Sequence, residues 1–253
     1  MPDTADPSQF VKPFVYETLN SRALHFSICE IQSRMQVQRP DALDLAYTRT
    51  MMAFLLFVPR PERLAMIGLG GGSLAKFCHR HLAETQIEVV EINPHVIALR
   101  EQFQVPADGT RFRVRRGDGA DFVRHTHDRL DVLLVDGFDH EGQPPALCSQ
   151  AFYDDCRAAL RADGLLAVNL HTAHPEFQRH AARLTRAFDG EVLLVGDKDC
   201  SNTIAFAGRG VLRGNAPSAA LRKPRSLDRV AWDDLLPAFA QVAAALRLQR
   251  EGG

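Results

Sequence analysis

The chain has few cysteines, a single tryptophan and almost no excess of charge of either sign. Its five cysteines are scattered and lack C-x-x-C spacing, which argues against a disulfide framework or a zinc site and suits a reducing compartment. Lysine and arginine together number 30, against 31 aspartates and glutamates, so we expect no sequence-independent attraction to nucleic acid or to anionic lipid.

Long apolar runs are also missing. No stretch approaches the length of a membrane span, and the polar, acidic N-terminus lacks the apolar core of a signal peptide. We therefore expect a cytoplasmic protein with no membrane partner. The 253 residues, 45% hydrophobic and 24% charged, are typical of a soluble globular chain with one large α/β domain and a small appendage.

Strand and helix patterns alternate from Leu64 onward, which predicts a mostly parallel sheet covered on both faces. The predicted strands are Leu64–Ile67, Ile87–Val90, Phe112–Arg115, Val132–Val135, Leu165–Asn169, Val192–Val195 and Thr203–Ala207. The predicted helices are Ser73–His81, Pro94–Phe103, Gly119–Arg124, Ser149–Leu160, Pro175–Phe188 and Trp232–Arg250.

The N-terminal part has a different pattern. Short β-like segments between Phe10 and Gln38 predict a small antiparallel unit, and a helical pattern follows over about Ala42–Val58. We therefore divide the chain into a flexible lead (1–10), an N-terminal β-hairpin module with its connecting helix (11–60) and a Rossmann-like nucleoside-binding domain (61–253).

A glycine-rich turn follows the first strand of this domain. Gly68, Gly70 and Gly72 occupy alternate positions in Gly-Leu-Gly-Gly-Gly. Because glycine has no Cβ atom, the backbone can turn tightly there and approach a ligand. Glu91 ends the next strand, nineteen residues after Gly72, a position from which an acid grips a ribose diol. This glycine loop (68–72) therefore indicates a nucleoside site.

Two further acids follow strands, namely Asp118 and Asp136. Open α/β sheets bind ligands beyond the carboxyl ends of their strands, although Asp118 is equally well explained as a helix cap. A dinucleotide would be seated through its pyrophosphate on a helix N-terminus. An S-adenosyl ligand has no phosphate and needs polar groups, so the additional acids favour it.

Five stretches resemble the polyamine aminopropyltransferase (spermidine synthase) family. They are IGLGGGSL (67–74), VVEINPHVI (89–97), RRGDGADFV (115–123), DVLLVDGFDHEG (131–142) and AFYDDCRAALRADGLLAVNL (151–170), with EIQ (30–32) and YTRTMM (47–52) in the N-terminal module. The resemblance implies the Rossmann-like fold of S-adenosylmethionine-dependent methyltransferases, with a mostly parallel seven-stranded sheet and a small N-terminal β module.

The resemblance also implies site roles. In the nucleoside half, Glu91 would bind the ribose hydroxyls and Asp118 with Gly119 the adenine edge, while Gly68, Gly70 and Gly72 pass along the nucleoside and Gln32 lies in the donor pocket. In the acceptor half, Asp136 would take a proton from the attacking amine, Asp139 would hold the acceptor's cationic amine, and Tyr47 would lie near the acceptor cavity. Because a polyamine acceptor carries several positive charges, we also expect a wall of acids along its groove, formed by Asp136, Asp139 and Glu141 with Asp44 nearby.

The chain also departs from the family pattern. Family members have an aspartate in the glycine loop, where it grips the donor's amine, and this chain has Gly71. Their proline-initiated segment ending in Gly-Pro is replaced by His140-Glu141-Gly142-Gln143, their Gln or His after the tyrosine is Thr48, and residues 196–199 lack a second acceptor-site tyrosine. The nucleoside half therefore matches the family better than the acceptor half.

Three functions follow as hypotheses. The first is transfer of an aminopropyl group from decarboxylated S-adenosylmethionine to a di- or polyamine. The second is methyl transfer from S-adenosylmethionine to an unknown small molecule, and the third is a non-catalytic nucleoside-binding role. We expect an S-adenosyl co-substrate, no permanently bound cofactor, no metal site, no nucleic acid partner and, from the resemblance, a possible homodimer. His171 and His174 have no third ligand at a recognisable spacing, so we expect them to flank the cleft.

Overall fold

Two separate sheets organise the chain. The computed structural model describes residues 7–27, 31–126, 130–139, 142–197, 201–214 and 221–251. The smaller sheet consists of β1 (Phe14–Glu17), β2 (Ser21–His25) and β3 (Ser33–Gln36), which pair antiparallel in that order. The predicted antiparallel unit is therefore present, and its β1–β2 turn is closed by the Thr18 hydroxyl, which accepts from the backbone N–H of Ser21 at 3.0 Å.

The larger sheet has seven strands, all of which the sequence pattern predicted. They are β4 (Arg63–Ile67), β5 (Gln86–Glu91), β6 (Phe112–Arg116), β7 (Leu130–Val135), β8 (Leu160–His171), β9 (Val192–Gly196) and β10 (Asn202–Gly208). Their order is β6-β5-β4-β7-β8-β10-β9, with β10 antiparallel to both neighbours and the other pairs parallel. The fold prediction is confirmed.

Helices connect these strands and cover both faces of the sheet. They are α1 (Ala46–Met51), α2 (Ser73–His81), α3 (Pro94–Ile97), α4 (Gly119–Arg124), α5 (Gln150–Ala159), α6 (Phe177–Ala187), α7 (Val211–Gly214) and α8 (Arg229–Glu251), with 3-10 turns at Pro7–Gln9, Met52–Leu56 and Pro145–Cys148. Among the helices of the described residues, none has the length and apolar character needed to cross a membrane.

Two predicted helices are much shorter in the structure. The helix expected over Pro94–Phe103 ends at Ile97, because the backbone then forms turns whose N–H groups reach back three residues, as Arg100 does to Ile97 at 3.1 Å. The helix expected over Ala42–Val58 begins at Ala46 and tightens into the 3-10 turn at Met52. These corrections change the lengths of the elements and leave their order unchanged.

Buried apolar clusters lie on the two faces of the large sheet. One contains Met51 and Phe54 from the connecting helix together with Phe206 of β10 and Phe239 of α8. The connecting helix is thus packed onto the same core as the large sheet, which fixes the position of Tyr47. Residues 1–6 of the expected lead lie outside the described residues, and the division into three segments stays a prediction.

Candidate active site

A cavity of about 780 Å³ opens beyond the carboxyl ends of the parallel strands. Glu91, Asp118 and Asp136 all line it, at the ends of β5, β6 and β7. The structure thus brings together the three acids that the sequence placed at successive strand ends, as expected for ligand sites of open α/β sheets.

The glycine loop forms the floor of this cavity. Gly68 has φ +94° and Gly70 φ +52°, which is the left-handed region that favours glycine. A Cβ at Gly68 would lie 2.2 Å from the carbonyl oxygen of Asp136, so the loop touches the backbone beside that acid. Gly72, at φ +69°, precedes α2 and packs against Val105; it does not line the cavity.

Glu91 is buried and tied to the loop. One carboxylate oxygen accepts from the backbone N–H of Leu69 at 2.8 Å and the other from that of Asn93 at 2.8 Å. Burial raises the pKa of Glu91, while these backbone donors act in the opposite direction. Backbone N–H groups of Ile92 and Gly70 also bond to Glu91, and the residue lines the cavity.

Asp118 combines the two roles that the sequence left open. It caps α4, because one carboxylate oxygen accepts from the backbone N–H of Ala120 at 2.7 Å and of Asp121 at 3.0 Å. It also lines the cavity together with Gly119. A Cβ at Gly119 would lie 2.3 Å from Cγ2 of Ile67, so glycine lets the start of α4 approach β4 closely.

Asp136 has a side-chain partner on each oxygen. The Tyr47 hydroxyl donates to Oδ2 at 3.0 Å, and the Asn169 amide donates to Oδ1 at 2.9 Å. Desolvation by the surrounding protein raises the pKa of Asp136, and both hydrogen bonds counteract that rise because they favour the carboxylate. The two hydrogen bonds hold the acid in a fixed orientation at the cavity wall.

Sequence reasoning assigned no role to Asn169. It lies near the end of β8, its side chain is 3% exposed, and its Oδ1 is buried without a hydrogen-bond partner among the described residues. A polar residue ending a buried apolar strand next to the strand of Asp136 was the available signal. We infer that Asn169 orients Asp136.

The remaining predicted residues differ in whether they line the cavity. Gln32, Tyr47 and Asp139 line the cavity, and so do His171 and His174, as expected for residues that flank the cleft. Asp44 does not line the cavity, because Arg34 and Gln36 hold its carboxylate in the N-terminal module. Glu141 lies outside the described residues. Among the described residues of the expected acidic wall, Asp136 and Asp139 line the cavity and Asp44 does not.

A pair of serines lies where the glycine loop meets β3. The hydroxyls of Ser33 and Ser73 are 3.2 Å apart, and both buried residues line the cavity. A Cβ at Gly71 would lie 2.7 Å from the Ser33 hydroxyl and 2.8 Å from the Phe103 ring. An aspartate at position 71 would therefore clash, and neutral hydroxyls line this part of the cavity.

The charged groups on the described cavity wall are all acidic apart from the histidines. Glu91, Asp118, Asp136 and Asp139 line it, and the described lining includes no lysine or arginine. No cluster of three or more histidine, cysteine or acidic side chains suited to a metal ion occurs in the part of the chain that the structure describes. The wall thus favours a cationic ligand.

Comparison with known proteins adds sequence evidence. Residues 44–189 match the family model of the spermine/spermidine synthase domain. A polyamine aminopropyltransferase from Neisseria meningitidis (serogroup A) is 38% identical over 202 residues, which cover 79% of this chain and 77% of the relative. The polyamine aminopropyltransferase of Chromobacterium violaceum is 39% identical over 196 residues, covering 77% and 75%.

Solved structures agree at the level of the fold. A probable spermidine synthase from Corynebacterium glutamicum has a TM-score of 0.68 at 16% identity, covering 81% of this chain and 82% of that protein. Human methyltransferase-like protein 13, solved with SAH, has a TM-score of 0.61 at 22% identity, covering 81% and 93%. The same architecture thus occurs in synthases and methyltransferases.

Proposed function

The chain belongs to the spermine/spermidine synthase family and is a transferase, and from this premise we propose that it moves an aminopropyl group from decarboxylated S-adenosylmethionine to a di- or polyamine. The donor is a sulfonium and the acceptor an ammonium ion in water, so both reactants are cations. The observation that supports the proposal most is the cavity wall, where four acids occur without a lysine or arginine among the described residues.

Asp136 is the proposed general base. The acceptor's nitrogen must lose a proton to become a nucleophile, since free amines are mostly protonated near neutral pH. Its lone pair then forms a bond to the donor carbon attached to sulfur, the carbon–sulfur bond breaks, and the electron pair leaves with sulfur as neutral methylthioadenosine. Asp136 takes up the proton that the nitrogen loses and later releases it to water.

Tyr47 and Asn169 are proposed to influence the protonation and the orientation of Asp136. Both donate to Asp136 and so favour its ionised form and fix its orientation, against the desolvation that raises its pKa. The raised pKa makes Asp136 a stronger proton acceptor than an ordinary aspartate. Holding the two reactants in line supplies much of the acceleration, since proximity effects reach roughly 7–11 kcal/mol.

The nucleoside half would position the donor. Glu91 is proposed to bind the ribose hydroxyls, and Asp118 with Gly119 the adenine edge, while Gly68 and Gly70 pass along the nucleoside. Gln32 completes the donor pocket from the N-terminal module. Support comes from the position of all these residues on one cavity. Asp139, on the same wall, is proposed to hold the acceptor's second amine.

Methyl transfer is the second candidate. The serine hydroxyls beside Gly71 carry no charge, so nothing in this part of the wall would repel the carboxylate of intact S-adenosylmethionine. With the intact donor bound, the methyl group on its sulfur would be the group transferred. The choice between the two reactions therefore depends on donor preference.

Calorimetric titration with decarboxylated S-adenosylmethionine, S-adenosylmethionine and methylthioadenosine tests that preference. Tighter binding of the decarboxylated donor supports aminopropyl transfer, and tighter binding of the intact donor supports methyl transfer.

Ser33→Asp should weaken binding of the intact donor relative to that of the decarboxylated one by about tenfold, the effect of roughly 1.4 kcal/mol of charge repulsion. Ser226→Asp, at an exposed position away from the cavity, is the control for added charge.

A homodimer and a cytoplasmic location belong to the same proposal. Both are expectations drawn from the family resemblance and from composition. Size-exclusion chromatography with light scattering measures the first, and cell fractionation measures the second.

A further inference from the structure

The N-terminal segment lies against the cavity. Gln9, Phe10 and Val11 line it together with Glu91 and Asp118. This segment, residues 7–11, is called the strap below. It precedes β1 and belongs mostly to the stretch that composition alone marked as a lead.

Two long-range hydrogen bonds hold the strap in place. The Asn93 amide donates to the carbonyl oxygen of Val11 at 2.9 Å, and Nε2 of His95 lies 3.2 Å from the carbonyl oxygen of Pro7. Asn93 is 7% exposed, and its Oδ1 accepts from the backbone N–H of His95 and so caps α3. The strap is therefore attached at both ends to the start of α3.

The same asparagine connects the strap to the proposed ribose site. The backbone N–H of Asn93 donates to Glu91 at 2.8 Å. Glu91 and the strap are thus fixed by one residue, on the nucleoside side of the cavity.

The side of the cavity that the strap forms with Ile92 is apolar and open. Val11 is 39% exposed and Ile92 40% exposed, although both line the cavity, and Phe10 is half-buried beside them. Large apolar side chains left exposed in a cavity commonly mark a surface that a ligand covers. The flat, weakly polar face of a purine suits such a surface, and aromatic side chains stack on bases.

We infer that the strap is part of the nucleoside site and that Phe10 packs against the adenosine of the donor. This inference rests on the proposed S-adenosyl ligand and does not depend on which group is transferred. Phe10 acts as a binding residue, while Asn93 acts as a positioning residue through its hydrogen bond to Val11.

The test compares two phenylalanines of the same region. Phe10→Ala should weaken methylthioadenosine binding about tenfold in calorimetry, since base–aromatic contacts are worth about 1–3 kcal/mol. Phe14, in β1, is half-exposed, stacks on His25 and does not line the cavity. Phe14→Ala should therefore change that affinity by less than about twofold, as surface substitutions usually do.

Asn93→Ser separates the two roles of Asn93, which are to hold the strap through Val11 and to cap α3. Serine keeps the capping oxygen but cannot reach Val11, so methylthioadenosine binding should weaken about fivefold, the worth of one ordinary hydrogen bond.

The melting temperature without ligand should stay near the wild-type value in Phe10→Ala, which shows that the loss is one of binding and not of folding. Phe10→Leu, which keeps an apolar side chain, should lose less affinity than Phe10→Ala.

Two results would overturn the inference: wild-type affinity in Phe10→Ala, or equal losses in Phe10→Ala and Phe14→Ala. Failure of the proposed reaction has a different signature. In that case the wild type binds methylthioadenosine, Phe10→Ala weakens that binding, and no aminopropyl group reaches an amine. That outcome supports the strap and contradicts only the reaction.

Discussion

The cavity has a proposed nucleoside half and a proposed acceptor half, and the two hold their acids in different ways. In the nucleoside half, Glu91 and Asp118 accept hydrogen bonds from backbone N–H groups. In the acceptor half, Asp136 accepts from the side chains of Tyr47 and Asn169. Backbone donors come with the strand–loop–helix geometry itself, whereas side-chain donors depend on which residues two distant segments supply.

This difference explains where the chain follows its family and where it departs. Replacing the side chain of a residue near Glu91 or Asp118 leaves its backbone N–H in place. The nucleoside half therefore tolerates substitutions around these acids. The acceptor half can be altered by single side chains without disturbing the sheet. Of the departing residues, Thr48 lines the cavity, and Gln143 donates to the carbonyl oxygen of Asn169. The serine pair beside Gly71 lies where the donor's tail is proposed to bind.

The largest expected effect separates the two halves directly. Asp136→Asn removes the proton acceptor and keeps the shape, so kcat for aminopropyl transfer should fall by roughly 10²–10⁴-fold. Methylthioadenosine affinity should stay within about twofold, because the nucleoside half is untouched. Steady-state kinetics and calorimetry on the same preparation measure both quantities. Near-normal turnover would remove Asp136 from the chemistry.

The second effect belongs to the nucleoside half. In Glu91→Gln the amide nitrogen would face a backbone N–H of Leu69 or Asn93, which leaves a buried donor unpaired and disturbs the glycine loop. Methylthioadenosine binding should weaken by about tenfold to a hundredfold, as expected for loss of 1–3 kcal/mol. Glu88→Gln is the matched control, since Glu88 lies in the same strand but not on the cavity. Equal effects of the two variants would contradict a specific role for Glu91.

The smallest effect concerns the side-chain partners of Asp136. Its pKa is already raised by desolvation, and the Tyr47 hydrogen bond lowers it. Tyr47→Phe should therefore raise that pKa further, so the carboxylate needed as base forms only at higher pH. The acid limb of the kcat/KM profile should move to higher pH.

Tyr16→Phe provides the control for the tyrosine substitution, because Tyr16 is 62% exposed in β1. Its pH profile should match that of the wild type. An acid limb that stays fixed or moves to lower pH in Tyr47→Phe would contradict the assignment of that limb to Asp136.

The sequence was sufficient for the sheet and the nucleoside acids. Alternating strand and helix patterns predicted all seven strands, and parallel strands must end at one edge, so Glu91, Asp118 and Asp136 had to come together. Helix ends were predicted less well. The residues after Ile97 have the same kind of composition as the helix before them, so the sequence does not mark the end of the helix. Periodicity also does not distinguish α-helical from 3-10 turns.

Contacts between distant segments could not be read from spacing. Asn169 reaches Asp136 across the sheet, Ser33 of β3 meets Ser73 at the start of α2, and the strap reaches Asn93. Each contact joins residues at least 33 positions apart. Tyr47 was assigned near the acceptor only through the family resemblance. Such side-chain partners depend on packing between elements, which local patterns do not encode.

The most direct test of the account is product analysis with both donors. The protein is incubated with an amine acceptor and either decarboxylated or intact S-adenosylmethionine, and all products are identified by mass spectrometry. If the protein transfers aminopropyl groups, the decarboxylated donor yields an aminopropylated acceptor and methylthioadenosine in equal amounts. A methylated acceptor formed from the intact donor, with no aminopropyl product from the other, would contradict the account.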